Sequence, residues 1–185
     1  MAYTPKSVPK TGVNPGRPKG KDPNIIIVRT DDIDNFPLRD ERGVQSANSE
    51  NLTLKPGANA IAIYATPSTI KRFDEIEGPP DGKGWIQNLE FEHPGDELGF
   101  DEWKENNVNI NLVALSFRRG FTNVKLHGTI EEPLQFEVEE KDDNEGLLST
   151  IRLKSVMRGP KSIVYVGAQP ALDTDGIDED SSSDL

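Results

Sequence analysis

Turn-forming clusters cut this sequence into short segments rich in β-branched residues, and that punctuation limits the fold more than any other feature. Lys55-Pro56-Gly57, Gly78-Pro79-Pro80-Asp81-Gly82 and Asp142-Asp143-Asn144-Glu145-Gly146 gather the residues that preset or tolerate turn dihedrals. Nine candidate strands lie around them, over 24–30, 51–54, 58–66, 85–92, 109–118, 123–130, 133–140, 147–157 and 162–167. Leu134, Phe136 and Val138 alternate with Gln135, Glu137 and Glu139, the period of a strand with one dry and one wet face. Ala60 to Ala65 and Leu112 to Leu115 are apolar at successive positions. That pattern predicts central strands covered on the second side by a helix or a neighbouring subunit. One helix is expected from near Asp96 to about Asn107, with Leu98, Phe100 and Trp103 as its apolar stripe, and a short helical turn over 68–75. The expected fold is mainly β, an antiparallel β-sandwich or barrel with one flanking α-helix and extended terminal arms.

The arms follow from composition. Residues 1–23 hold five prolines and three glycines, a mixture that stays extended for want of apolar side chains to bury. The expected organisation is a basic arm over 1–23, a β domain over 24–170 and an acidic tail over 171–185. Within the 185 residues there is no cysteine, and the hydrophobic fraction is 34%. Stability then depends on packing alone, and a thin core favours burial between subunits, because covered apolar area contributes about 25 cal/mol per Å² whichever chain covers it. Apolar runs such as 25–28 and 112–115 are too short to span a bilayer. The N-terminus lacks an apolar signal core, so a soluble chain made in the cytoplasm, without a membrane partner, is expected.

Charge is unevenly placed. Residues 1–21 carry Lys6, Lys10, Arg17, Lys19 and Lys21 and no acid, residues 171–185 carry six acids and no base, and residues 22–170 therefore retain −10 of the net −11. A body of that charge repels a nucleic-acid backbone. Pro15-Gly16-Arg17-Pro18-Lys19 has the extended Gly-Arg-Pro core of a minor-groove hook, but no basic residue precedes the Gly and the unit is not repeated. Docking on an acidic copy of the same chain is the favoured reading, which makes those five cations candidate intersubunit contacts.

Catalytic constellations are not evident. His93 and His127 are 34 positions apart, without the short spacing of a zinc motif. No Gly-x-Ser-x-Gly turn presents a serine. The acidic groups Asp31-Asp32-Asp34 and Asp142-Asp143 are explained by turn chemistry. Asp173-Thr174-Asp175-Gly176 places its glycine too early for a calcium loop and no glutamate follows at the required distance. Trp85, Phe91 and Trp103 are expected in the core between helix and sheet, a sugar-binding platform being the alternative. No enzyme activity, metal or cofactor is expected.

The run Gly84-Trp-Ile-Gln-Asn-Leu-Glu-Phe-Glu-His-Pro-Gly-Asp leads through a Glu- and Asn-rich helix to Asn107-Val-Asn-Ile-Asn-Leu-Val-Ala-Leu. Glu132-Pro-Leu-Gln-Phe-Glu-Val-Glu and the segment from Asp142 to Lys154 follow. This layout, over 58–168, resembles tail tube proteins of tailed bacteriophages. The resemblance implies a virion structural protein whose hexameric rings stack into the conduit for DNA ejection. Its partners would be other copies of itself, other tail proteins at the tube ends, and passing DNA bound without sequence specificity. Two other readings stay open: a head decoration or tail terminator protein, and a monomeric β-sandwich that binds a glycan or peptide.

Overall fold

The computed structural model describes residues 7, 20–48, 50–95, 97–120, 122–143 and 146–173. In chain order the elements are β1 (Lys21–Arg29), β2 (Ile33–Asn35), β3 (Thr53–Leu54), β4 (Ile61–Tyr64), β5 (Lys71–Glu77), β6 (Gly84–Pro94), α1 (Leu98–Asn107), β7 (Leu112–Arg118), β8 (Thr122–His127), β9 (Leu134–Asp143), β10 (Gly146–Ser155) and β11 (Ile163–Tyr165). The fold is mainly β with one helix, as the turn punctuation predicts. Each of the nine expected segments contains a strand, while β2 and β5 are additional. β5 replaces the expected helical turn, because Lys71 to Glu77 pairs along its whole length with β6, from Lys71 opposite Glu90 to Glu77 opposite Gly84. β1 starts at Lys21, inside the segment expected to be an arm.

Two sheets form the body. One has the order β4-β1-β7-β8-β11 and the other β9-β10-β6-β5, and a single pairing, Leu112 opposite Leu134, joins β7 to β9. The free edges do not pair with each other, so the molecule is an open sandwich and not a closed barrel. β7 spans the second sheet from edge to edge: Leu112 lies at β9, and the Ser116 carbonyl accepts a 3.5 Å hydrogen bond from Arg72 Nη1 on β5. Three strand spacings of about 4.8 Å match the roughly 13 Å covered by four residues of extended chain. The two sheets therefore pack face to face with their strand directions crossing.

This crossing accounts for the two apolar faces of the central strands. Ile25, Ile27, Leu112 and Ala114 meet Leu89, Phe91, Ile151 and Leu153 between the sheets. On the reverse side Ile26, Val28, Val113, Leu115 and Phe117 join Ile33, Leu52, Leu126, Ile163 and Tyr165 in a second core. The cover over β1 and β7 thus comes from β2, β11 and residues near β3, not from a helix or a neighbour. Tyr165 fixes this layer: its hydroxyl accepts from Leu52 N at 2.9 Å and donates to the Ala168 carbonyl at 2.6 Å. β4 is not central as expected; beyond its pairing with β1 it is an outer strand with Ala62 and Tyr64 exposed.

α1 lies against β6 and β9. Phe100 is buried beside His93 and stacks on Trp103, whose ring meets Phe136 of β9. Lys104 bridges Asp101 and Glu140. Leu98, expected in the stripe, is instead 84% exposed, because the helix turns Phe100 and Asn107, with the partly buried Trp103, towards the sheet. The helix ends where Asn109 takes φ 61°, a left-handed conformation that asparagine tolerates better than most residues.

At the sheet corner, Gly128 has φ +80°, and a Cβ there would lie 3.0 Å from Leu134 Cγ and 3.2 Å from the Leu112 carbonyl oxygen. Gly128→Ala is expected to cost about 1–3 kcal/mol through left-handed strain and crowding. Urea unfolding measures it, and a loss below about 0.5 kcal/mol would mean that the corner relaxes freely.

Candidate functional site

The inward face of β7 changes character along its length. Leu112 and Ala114 are apolar, whereas Ser116 and Arg118, in the same phase, are polar. β8 repeats the change with Lys125 and His127 inward while Val124 and Leu126 pack in the second core, and β5 contributes Arg72 and Asp74. The end of the sandwich bounded by β5, β7 and β8 is therefore a polar recess, remote from the apolar half that α1 covers.

Its hydrogen bonds run across the two sheets. Arg72 Nη1 donates to the Ser116 carbonyl at 3.5 Å and to the Asn123 carbonyl at 3.3 Å. Lys125 Nζ donates to Ser162 Oγ at 3.4 Å, and Ser162 Oγ donates to Asp74 Oδ2 at 2.6 Å. Ser116 Oγ and His127 Nε2 share a hydrogen bond of 2.9 Å. Deeper in, Gln87 joins the sheets: Nε2 donates to the Pro160 carbonyl at 2.9 Å and Oε1 accepts from Gly128 N at 2.8 Å.

Positive charge dominates. Lys21, Arg72, Arg118 and Lys125 are half-buried together, and Asp74 acts on Lys125 as a nearby carboxylate. Burial lowers the Lys125 pKa, Asp74 partly offsets this, and Lys161, Arg72 and Arg118 lower it further. Burial and then repulsion from Arg118 lower Arg72, and burial followed by Arg72 and Arg118 lowers Lys21. Desolvation holds His127 far below its ordinary value, at about 3, with Arg72 and Lys125 adding to the effect. Arg118 Nε is buried and has no hydrogen-bond partner among the described residues. The arrangement suits a carboxylate or phosphate, since each added anionic oxygen relieves mutual repulsion and satisfies N–H donors.

Of the five expected contact residues, Lys6, Lys10, Arg17 and Lys19 lie outside the described residues. Lys21 opens β1 opposite Arg118 and so belongs to this recess. Arg72, Arg118 and Lys125 were not anticipated, although the alternation in 112–118 and 123–127 carries the signal. Ser116 and His127 form the paired part of a nucleophilic site, but Ser116 is fully buried, so no substrate reaches its hydroxyl. His93 sits apart, its Nδ1 2.8 Å from the Tyr64 carbonyl and its ring against Phe100. Among the described residues no group of three or more His, Cys, Asp or Glu is placed to hold a metal. Asp142 and Asp143 belong to β9, with Asp143 opposite Gly146, so the hairpin turn is shorter than the expected loop. Phe91 is fully buried and Trp103 packs between helix and sheet, while Trp85 lies at the opposite end of β6 under the Lys161 ammonium.

No family model, curated protein or solved structure matches the chain.

A concavity of about 450 Å³ runs between β4 and α1 along Ile61, Tyr64, His93, Phe100, Trp103 and Asp173. Its floor, Phe100, is buried and offers no open ring face for a sugar to stack upon.

Proposed function

We propose that the chain is a self-assembling virion structural protein, the major subunit of a bacteriophage tail tube, made in the host cytoplasm and incorporated into stacked, hexameric rings. The observation that carries this reading is a group of exposed apolar side chains at each end of the second sheet, with Phe73 of β5 and Val138 of β9 exposed between them. Ile76, Ile130, Val156 and Met157 are exposed at the end where β6 and β9 begin. Leu98, Leu147 and Leu148 are exposed at the end where β6 and β9 finish. The eleven residues of β6 set these patches about 35 Å apart. Different apolar patches at opposite ends suit head-to-tail contact, the kind that stacks without limit. The residual −10 on the body suits a lumen that keeps passing DNA from adhering, with other tail proteins terminating the stack.

The test combines negative-stain microscopy with mass photometry over a range of concentrations. Rings of about six copies and tubes of such rings are expected. Met157→Asp is expected to shorten or abolish tubes while leaving the thermal midpoint unchanged, because the side chain is 58% exposed in the single chain. An interface that buries the new carboxylate instead loses several kcal/mol, by order of magnitude. A 20.4 kDa particle at every concentration would refute this reading, and tubes indifferent to the substitution would place the stacking contact away from Met157. A single unstacked ring or a trimer would instead favour a terminator or decoration protein.

A further inference from the structure

We infer that the recess framed by Lys21, Arg72, Arg118 and Lys125 receives a carboxylate-rich peptide, and that in the assembled protein this peptide is segment 174–185 of an adjacent copy. The inference rests on the self-assembly reading above for the identity of the donor. Charge complementarity supports the peptide itself independently.

Four cations share one recess in a chain of net charge −11, so the site reverses the sign of the molecule around it. Beyond Asp173 the sequence supplies Asp175, Asp178, Glu179, Asp180 and Asp184 and no base. Carboxylates accept from guanidinium and ammonium groups through charge-assisted hydrogen bonds, and Arg118 Nε is a buried donor still without a partner among the described residues. A nucleic acid fits less well. The cations sit half-buried between crossed sheets, and the surrounding negative charge repels a long polyanion more than a short flexible peptide.

Ring assembly, not reach, assigns the donor to a neighbouring copy. Asp173 N donates to the Ala60 carbonyl at 2.8 Å, beside Ile61, which pairs with Ile27. Lys21 and Arg118 pair at the other end of the same sheet, six residues away along β1, or roughly 20 Å. Donor and acceptor thus lie towards opposite ends of one sheet. A peptide of twelve residues reaches at most about 40 Å, enough for the recess of its own copy and for that of the next, and the chain ending at Asp173 separates the two. In a closed ring each copy then gives to one neighbour and receives from the other.

A fluorophore-labelled peptide of residues 174–185 is titrated with the full-length chain by anisotropy. Saturable binding is expected at about 50 mM salt, weakened about tenfold or more at about 500 mM. The double variant Arg118→Gln, Lys125→Gln, with an unchanged circular dichroism spectrum, is expected to bind about tenfold or more weakly. Absence of binding, equal binding by the double variant, or tighter binding of a DNA oligonucleotide of equal charge would overturn the inference. The second measurement is ring stability of a chain ending at Asp173. Rings that resist dilution as well as those of the full chain would refute the inter-copy link and leave the assembly reading standing. A full-length chain that stays monomeric while binding the peptide would refute the assembly reading and the neighbour assignment, but not the recess.

Discussion

Below about pH 6.5 the folded chain is expected to lose stability by close to 1.4 kcal/mol per pH unit through His127 alone. The imidazole is 1% exposed, and burial, followed by repulsion from Arg72 and Lys125, holds its folded pKa at about 3 against 6.5 in the unfolded chain. Between those values the unfolded state binds the proton and the folded state does not, so acid favours unfolding. The contribution is fully present above pH 6.5 and is lost as pH falls towards 3. From pH 6.5 to 4.5 the loss amounts to about 2.7 kcal/mol, by order of magnitude. That window lies above the ordinary carboxylate range. Urea unfolding at several pH values measures it, and His127→Gln, which does not take up a proton, is expected to flatten the profile. A slope that persists in this variant would assign the acid sensitivity elsewhere.

Phe91→Ala is expected to remove about 3–5 kcal/mol, a large part of a typical domain's total. Phe91 is fully buried between the crossed sheets, opposite Ile151 in the ladder, with Leu89 and Leu153 in the same cluster. Its core cluster draws side chains from both layers and from the helix, and closing the void would mean moving both layers. Phe91→Leu keeps most of the volume and is expected to lose less than about 1.5 kcal/mol. The urea midpoint reports both. Comparable losses in the two variants would show that the ring's shape, not its volume, is what the core requires.

The strands were readable because turn residues and alternation are local signals. The crossing was not. Leu112 and Ala114 look like one face of a strand wherever that strand is placed, and no local pattern shows that β7 runs across the second sheet. β5 was missed because Arg72, Asp74 and Glu75 interrupt its apolar positions, which also resembles a charged helical turn. The recess shows a finer loss of information. Ser116 and Arg118 sit in the inward phase of β7, and Lys125 and His127 in that of β8, so each strand alone announces a polar inner face. That the two faces meet Arg72 depends on pairings spanning 44 and 51 residues. Leu98 failed for a simpler reason: the hydrophobic spacing fits either side of the helix, and contacts with His93 and Phe136 decide which side is buried.

The pairing of β1 with β7 also bears on synthesis. Residues 25–29 find their partners at 112–116, so the central ladder is incomplete until nearly ninety further residues have been made. At roughly 5–20 residues per second, Ile25, Ile26, Ile27 and Val28 wait on the order of ten seconds without their main partner. A four-residue aliphatic run left uncovered for that long is prone to pair with other nascent chains. Lys21 and Asp22 before it, and Arg29, Asp31 and Asp32 after it, flank the run with charge, as gatekeepers do. Neutralising those flanks would lower soluble yield during translation even where the finished fold is unharmed.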